Sequence, residues 1–397
     1  MVAHDQLLSK FHQLYGNSEA HISVFHAPGR VNLIGEHTDY NGGYVFPAAL
    51  TLGTTLLIRP RQDFNLGLAS TNFELHQHIA VNKLAYKKSH DWMNYPKGIV
   101  VHLEMQGFPL THGYDLLFHG EIPNGAGLSS SASIEVVTAY ALMSLENYEI
   151  DRIQLALLTQ KTENAYMGVN CGIMDQFAVA HGKQDHAMFL MCDTLEFQYV
   201  PFHNREYTLI IGNTNKRRGL LDSAYNERRS QCEQAVNDLK AQFPEITLLG
   251  QITLEQFRAH QHVIADDTVR RRAQHVIEEI DRVIQSVKVL KSGDWVTFGK
   301  LMVDSHNSLR DLYEVTGLEL DTMVASALEV PGVIGSRMTG AGFGGCTVSL
   351  VHQDQVESFI AQVGRNYTAQ TGLIPEFYVC HIGDGVKQME GIYGWQS

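Results

Sequence analysis

At 397 residues the chain exceeds one typical core, so two domains, or three, are expected; 44% apolar and 18% charged residues are the proportions of an ordinary soluble globular protein. A net charge of −13 and a pI near 5.8 exclude the basic surface that nucleic acid selects, so any anionic ligand must be held by local donors. Five scattered cysteines without a CxxC pair fit free thiols in a reducing compartment better than disulfides or zinc.

The N-terminal stretch lacks the cationic, apolar and small-residue succession of an export signal. No apolar run approaches the ~18 residues that cross a bilayer, so a cytoplasmic protein with no membrane partner is expected. Leu7, Leu8, Phe11 and Leu14 fall at helical spacing and predict a short amphipathic helix over residues 5–15. His21 to Ala27 alternates as a strand, and Tyr44 to Ile58 reads as further strand. Between them, Ala27 to Pro47 packs Arg30, Glu36, His37 and Asp39 among glycines, with Val31, Leu33 and Ile34 threaded through. The apolar residues tie the segment to a core and hold the polar ones in set directions. Such a cluster suits a small polyol, and it equally suits a structural ion-pair turn.

The pairs His76/His78 and His260/His262 read as solvated surface, since HExxH is absent. Asp115 to His119 is a short strand, followed by turn residues and then Gly125-Ala126-Gly127-Leu128-Ser129-Ser130-Ser131 at the head of a helix over Ser130–Leu145. Glycine lets backbone N–H groups approach an anion, and the helix start adds unpaired donors. A capping role explains one serine, and three in succession point to phosphate. GxxxxGK[ST] is absent, which excludes a P-loop lysine. A helix follows over 152–166, then strands over 187–200 and 207–214.

Asp175, framed by Ile173, Met174 and Phe177, is a paired, capping or functional carboxylate. Lys216-Arg217-Arg218 reads as a solvated charge cluster. Helical patterns dominate from Asp222 to about Leu328, with Asp266 or Asp267 as the N-cap of a helix over Val269–Leu290. Gly340 to Gly345 satisfies GxGxxG, yet the strand Cys346 to Val351 follows it where a dinucleotide site needs a helix. A helix near 355–368 and a strand over Phe377–Ile382 close the pattern. No repeat or linker marks a boundary; the change of character places it near residue 200, giving domains 1–200 and 201–397.

The Ala27–Pro47 stretch resembles the opening motif of galactokinases, within the GHMP superfamily of small-molecule kinases. GAGLSSSAS at Gly125–Ser133, CGIMDQF at Cys171–Phe177 and MTGAGFGGC at Met338–Cys346 match the same family in order, so the resemblance spans nearly the whole chain. It implies an α+β, two-lobed GHMP kinase fold with the active site in the cleft between the lobes. It also implies a kinase, expected as a monomer, that phosphorylates galactose at C1 with ATP and Mg²⁺, the first committed step of galactose catabolism. By the same resemblance Asp175 is the base and Arg30 its catalytic partner. Glu36, His37, Thr38, Asp39 and Tyr225 bind the sugar, with Asp39 on its C3 and C4 hydroxyls. Gly125 to Ser131 holds the ATP phosphates, Ser131 and Glu163 hold the metal, and the Gly340–Gly345 turn closes against the nucleotide side. A kinase of N-acetylgalactosamine or arabinose, and a non-catalytic galactose sensor, are the alternatives. The intact serine run with Asp175 and Arg30 favours catalysis.

Overall fold

The computed structural model describes residues 4–122, 127–216 and 221–389. The glycine-loop positions Gly125 and Ala126, with Arg217 and Arg218 of the basic cluster, therefore lie outside the described residues.

A six-stranded sheet forms the first layer, in the order Lys387–Gln388, Ser23–Asn32, Pro47–Arg61, Gly113–Gly120, Asn65–Ser70, Gln77–Ala80. Its neighbours are antiparallel except for Asn65–Ser70 beside Gly113–Gly120. The helices Asn94–Met105, Ser130–Leu145, Arg152–Thr162 and Met174–His181 cover one face, with Phe25, Leu56, Phe118, Val136, Leu142 and Phe177 in the core between. Helix Ser130–Leu145 matches its expected span, and Asp151 caps the next helix by accepting from the Gln154 N–H.

A second, fully antiparallel sheet runs Val333–Thr339, Cys346–His352, Tyr207–Asn213, Glu376–Cys380. It packs against Asp267–Lys291 and Trp295–Ser308, the former capped by Asp266 through the Val269 N–H. The expected strand over 187–200 is a hairpin, His186–Met191 and Phe197–Pro201, joined by Tyr44–Val45 into a third small sheet. The strands Asn65–Ser70, Gln77–Ala80 and Val333–Thr339 and the helix Asn94–Met105 carry weaker patterns, and sequence reasoning passes them over. Pro96 sits in the first turn of that helix, where its missing N–H costs nothing.

Two features place the cleft. Val31, Leu33 and Ile34 of the polar motif share one core with Val283, Phe298 and Met302, so the lobes meet directly behind that motif. The late strand Lys387–Gln388 returns to pair with Phe25 and His26, tying this segment to the first sheet.

Candidate active site

The register between Ser23–Asn32 and Pro47–Arg61 slips between Pro28 and Arg30. Such an irregularity re-aims the side chain beside it. Gly29 permits the approach of the serine loop: a Cβ there would lie 2.8 Å from the Leu128 carbonyl oxygen, which accepts from the Arg30 N–H at 3.2 Å. Arg30 is thereby aimed at the start of helix Met174–His181. Its Nε donates to Asp175 Oδ1 at 2.7 Å, its Nη2 to Oδ2 at 2.8 Å and its Nη1 to the Gly127 carbonyl at 2.8 Å. The Ser129 hydroxyl also donates to Asp175 Oδ2. A carboxylate has about four acceptor positions; three are taken, which leaves one for an incoming hydroxyl.

Arg30→Lys is expected to lower kcat at least ~10-fold, because an ammonium cannot fork across both oxygens and a charge-assisted bond is worth ~1.5–3 kcal/mol. Steady-state kinetics check this; a near-normal kcat would show the fork to be dispensable.

The polar motif is bent by Gly35, at φ +105°, and by His37, a non-glycine residue at φ +63°. A left-handed side chain costs ~1–3 kcal/mol. Val31, Leu33 and Ile34 are fully buried, and each contributes ~1.5–3 kcal/mol, so anchoring exceeds strain. Thr38 closes the turn: its hydroxyl lies 2.9 Å from the Gly35 carbonyl and 2.7 Å from that of Tyr44. Asn41 Nδ2 donates to the His37 carbonyl at 2.8 Å.

The turn points Glu36, His37, Asp39 and Tyr40 into a cavity of about 470 Å³, lined also by Arg30, Gly127, Ser129, Ser130, Ser131, Glu163, Gly172, Asp175, Tyr225 and Ala341. Described residues of all four motifs therefore meet. Among the sequence candidates with described positions, Thr38 and Leu128 do not line it: Thr38 is bound to backbone, and Leu128 is buried in the core. Beneath lies an aromatic floor. His37 Nδ1 and the Tyr40 hydroxyl are 2.8 Å apart, the Tyr40 and Tyr313 hydroxyls 2.8 Å, and the Tyr225 ring centroid is 5.3 Å from that of Tyr40. Burial, with the neighbouring His275, lowers the His37 pKa to about 3, so the ring is uncharged.

Asp39 sits where only glycine can face it. A Cβ on Gly172 would lie 2.0 Å from Asp39 Oδ2, so the carboxylate occupies the space a side chain would need. Burial, and then the charge of Asp175, raise the Asp39 pKa to about 7. Raised above its unfolded value, this carboxyl favours the fold below pH ~4 and loses that contribution as pH climbs through about 7. If Asp39 accepts from two sugar hydroxyls, function runs the other way, because the ionised form keeps every lone pair free to accept. With magnesium saturating, kcat/KM for the sugar is expected to fall as pH drops below about 7, and Asp39→Asn should flatten that limb. A wild-type profile flat from pH 6 to 8 contradicts the assignment.

Helix Arg152–Thr162 ends in a π-helical turn over Glu163–Met167, a rare geometry that recurs at functional sites. It buries Glu163 beside Ser131, and Gln176 Nε2 donates to Glu163 Oε2 at 2.6 Å. Burial holds the Glu163 pKa up at about 7. Against Ser130, Ser131 and Tyr95 opens a smaller cavity of about 140 Å³, lined by Ser70, Asn72, Phe73, Trp92 and Phe118, with the Phe73 and Trp92 rings stacked 6.2 Å apart. Sequence reasoning missed this compartment, since its residues are scattered and carry no motif. It also missed Gly172, although that residue stands inside a quoted motif.

Residues 9–60 match the galactokinase galactose-binding signature, residues 94–183 the GHMP kinases N terminal domain and residues 286–369 the GHMP kinases C terminal domain. The chain is 49% identical over 388 residues to the galactokinase of Fusobacterium nucleatum, covering 97% of this chain and 100% of that one. It is 47% identical to that of Bacillus subtilis, covering 98% and 99%. The crystal structure of Lactococcus lactis galactokinase complexed with galactose superposes with a TM-score of 0.94 at 43% identity, covering 97% and 99%. A Methanococcus jannaschii mevalonate kinase, at TM-score 0.65 and 18% identity over 93% of this chain and 100% of that one, shares the fold.

Proposed function

This chain belongs to the galactokinase family and is an ATP-dependent galactose kinase; from that premise we propose how its residues divide the work. The sugar lies in the larger cavity against Glu36, His37, Asp39 and Tyr225, with its C1 hydroxyl at the open acceptor position of Asp175. The triphosphate lies along Gly125–Ser131, and the adenine enters the smaller compartment, where Phe73 and Trp92 offer aromatic faces. The observation that carries this reading is the Arg30–Asp175 fork, which lines one cavity together with Glu36, His37, Asp39 and Ser129 to Ser131.

As the C1 oxygen attacks the γ-phosphorus, its proton passes to Asp175 and the bond from phosphorus to the bridging oxygen of ADP breaks. The transition state is loose, so positioning and neutralisation of the phosphoryl oxygens supply most of the acceleration, with the base adding ~10²–10⁴. Arg30 sets the direction of the base, and backbone N–H groups at the head of helix Ser130–Leu145 face the phosphates.

Magnesium fits the residues present. Glu163 and Ser131 are hard oxygen donors, and a buried carboxyl held up near 7 is one that a cation would return to its charged form. Among the described residues no group of three His, Cys, Asp or Glu could enclose a metal; magnesium on a nucleotide shares its shell with phosphates and water. When bound, magnesium neutralises charge on the phosphates. Ser131→Ala and Glu163→Gln are each expected to raise the magnesium concentration giving half-maximal rate by at least ~10-fold with galactose KM little changed, since losing one of two protein ligands removes a charge-assisted contact of ~1.5–3 kcal/mol. Unchanged magnesium dependence in both variants removes the assignment.

No described helix is long and apolar enough to cross a membrane. A cytoplasmic monomer with a division near residue 200 completes the proposal. A coupled ADP-release assay across galactose, glucose, N-acetylgalactosamine and arabinose tests it: galactose should be turned over far faster than the rest. Equal rates, or binding without ADP release, would overturn it.

A further inference from the structure

Glu36 belongs by sequence to the first lobe, yet its polar atoms are held by the second. Its backbone N–H lies 3.4 Å from Glu279 Oε1, and its carbonyl accepts from His275 Nε2 at 3.2 Å. Its Oε1 accepts from Arg337 Nη1 at 3.2 Å and from the Gly340 N–H at 2.8 Å. With Oε1 doubly engaged, Oε2 is the oxygen left for the cavity that Glu36 lines.

Arg337 is the centre of this arrangement. It lies on strand Val333–Thr339, its side chain is 0% exposed, and it is the largest fully buried side chain among the described residues. Its Nη1 also donates to the Asn32 carbonyl at 3.1 Å, and its Nε to Ser305 Oγ at 3.2 Å. Ser305 in turn donates to Glu279 Oε1, which takes the Gly35 N–H at 2.9 Å, while Arg282 Nε donates to Glu279 Oε2 at 2.7 Å. Burial alone would raise Glu279, but Arg282, His275 and Arg337 hold its pKa down at about 2, so it stays ionised. Two buried carboxylates are thus matched by two guanidiniums, and Arg337 bridges the carboxylates. Such a network is a poor source of stability, because desolvation offsets the attraction. What it supplies here is direction.

We propose that Arg337 is a positioning residue for sugar choice: acting with the Gly340 N–H, it fixes Glu36 so that a single carboxylate oxygen meets one hydroxyl of the substrate. The inference deepens the galactose-kinase reading and rests on it. Strand Val333–Thr339 and the glycine turn after it then set specificity from the opposite lobe. Gly340 also stands against the phosphate loop, since a Cβ there would lie 3.0 Å from the Gly127 carbonyl. One turn thereby contacts both the sugar motif and the phosphate side.

The test is a set of monodeoxygalactoses lacking the C2, C3, C4 or C6 hydroxyl in turn, each keeping the C1 acceptor, measured with the wild type, Glu36→Gln, Arg337→Met, Arg337→Lys and the double variant Glu36→Gln/Arg337→Met. In the wild type one deoxy sugar marks the hydroxyl read by Glu36, because Glu36→Gln ceases to penalise its removal. Arg337→Met is expected to lose preference for that same hydroxyl by ~10- to 100-fold, the worth of a charge-assisted hydrogen bond, with KM for ATP unmoved. Its effect should be much smaller in the Glu36→Gln background. Arg337→Lys keeps the buried charge but cannot reach Glu36, the Asn32 carbonyl and Ser305 from separate planar donors, and should show the same selective loss even if Arg337→Met fails to fold. An Arg337 variant that loses activity evenly across all the sugars, or that adds its full effect to Glu36→Gln, overturns the inference. A wild type that turns over no galactose overturns the reading beneath it instead.

Discussion

Asp175→Ala is expected to lower kcat by at least ~10²-fold, the minimum expected of a general base, while nucleotide binding stays within a few-fold of wild type. The carboxylate is joined to Arg30 through both oxygens and to Ser129. Removing it leaves a guanidinium that is almost fully buried with only the Gly127 carbonyl as its remaining described partner. Part of any loss therefore comes from disorder of Arg30, and Asp175→Asn separates the two effects. The amide keeps the shape and an acceptor for Arg30 but cannot take the proton, so it should be nearly as inactive. Retention of more than about a tenth of wild-type kcat in Asp175→Asn would deny the base its role.

The second large effect comes from a single methyl group. Gly172→Ala would place a Cβ 2.0 Å from Asp39 Oδ2 and 2.5 Å from its Cγ, distances that real Cβ contacts do not reach. Asp39 must rotate out of the cavity or the backbone must move. If Asp39 contacts two hydroxyls at ~1.5–3 kcal/mol each, kcat/KM for galactose should fall by ~10²–10⁴. The galactose-to-glucose ratio should shrink with it, because epimer choice depends on fixed polar partners. Gly172→Ala is therefore expected to behave like Asp39→Ala and to add little to it. A variant with lower Tm but an intact epimer ratio would show that Asp39 keeps its place and that the clash is absorbed by the backbone.

The sequence was legible where residues are local neighbours. The helix Ser130–Leu145, the strands beside the polar motif and the Asp266 cap follow from periodicity and capping chemistry. Arg30, Glu36, His37, Asp39, Asp175 and Tyr225 were assigned through the family motifs, and the fold brings them into one cavity. What was not legible depends on the packing of distant segments. Arg337 is one charge in a stretch whose strand pattern is too weak to read, and nothing local shows that Glu36 lies against it, 301 positions away in the chain. The compartment of Asn72, Phe73 and Trp92 depends on Asn65–Ser70 lying beside Gly113–Gly120, a pairing that no local pattern encodes. Ser129 shows the limit of composition: it stands in the run of three serines, with φ +61°, and its hydroxyl is spent on Asp175. Thr38, in the middle of the sugar motif, holds the turn while its neighbours face the cavity.

The central claim is a transfer of phosphoryl to one particular oxygen of one sugar. Phosphorus NMR of the protein with ATP, magnesium and galactose follows every phosphorus atom in that reaction. One new resonance is expected, from phosphate on the anomeric oxygen, growing in step with ADP and absent when glucose replaces galactose. Release of inorganic phosphate in its place, phosphorylation at another hydroxyl, or galactose binding with ATP left intact would contradict it.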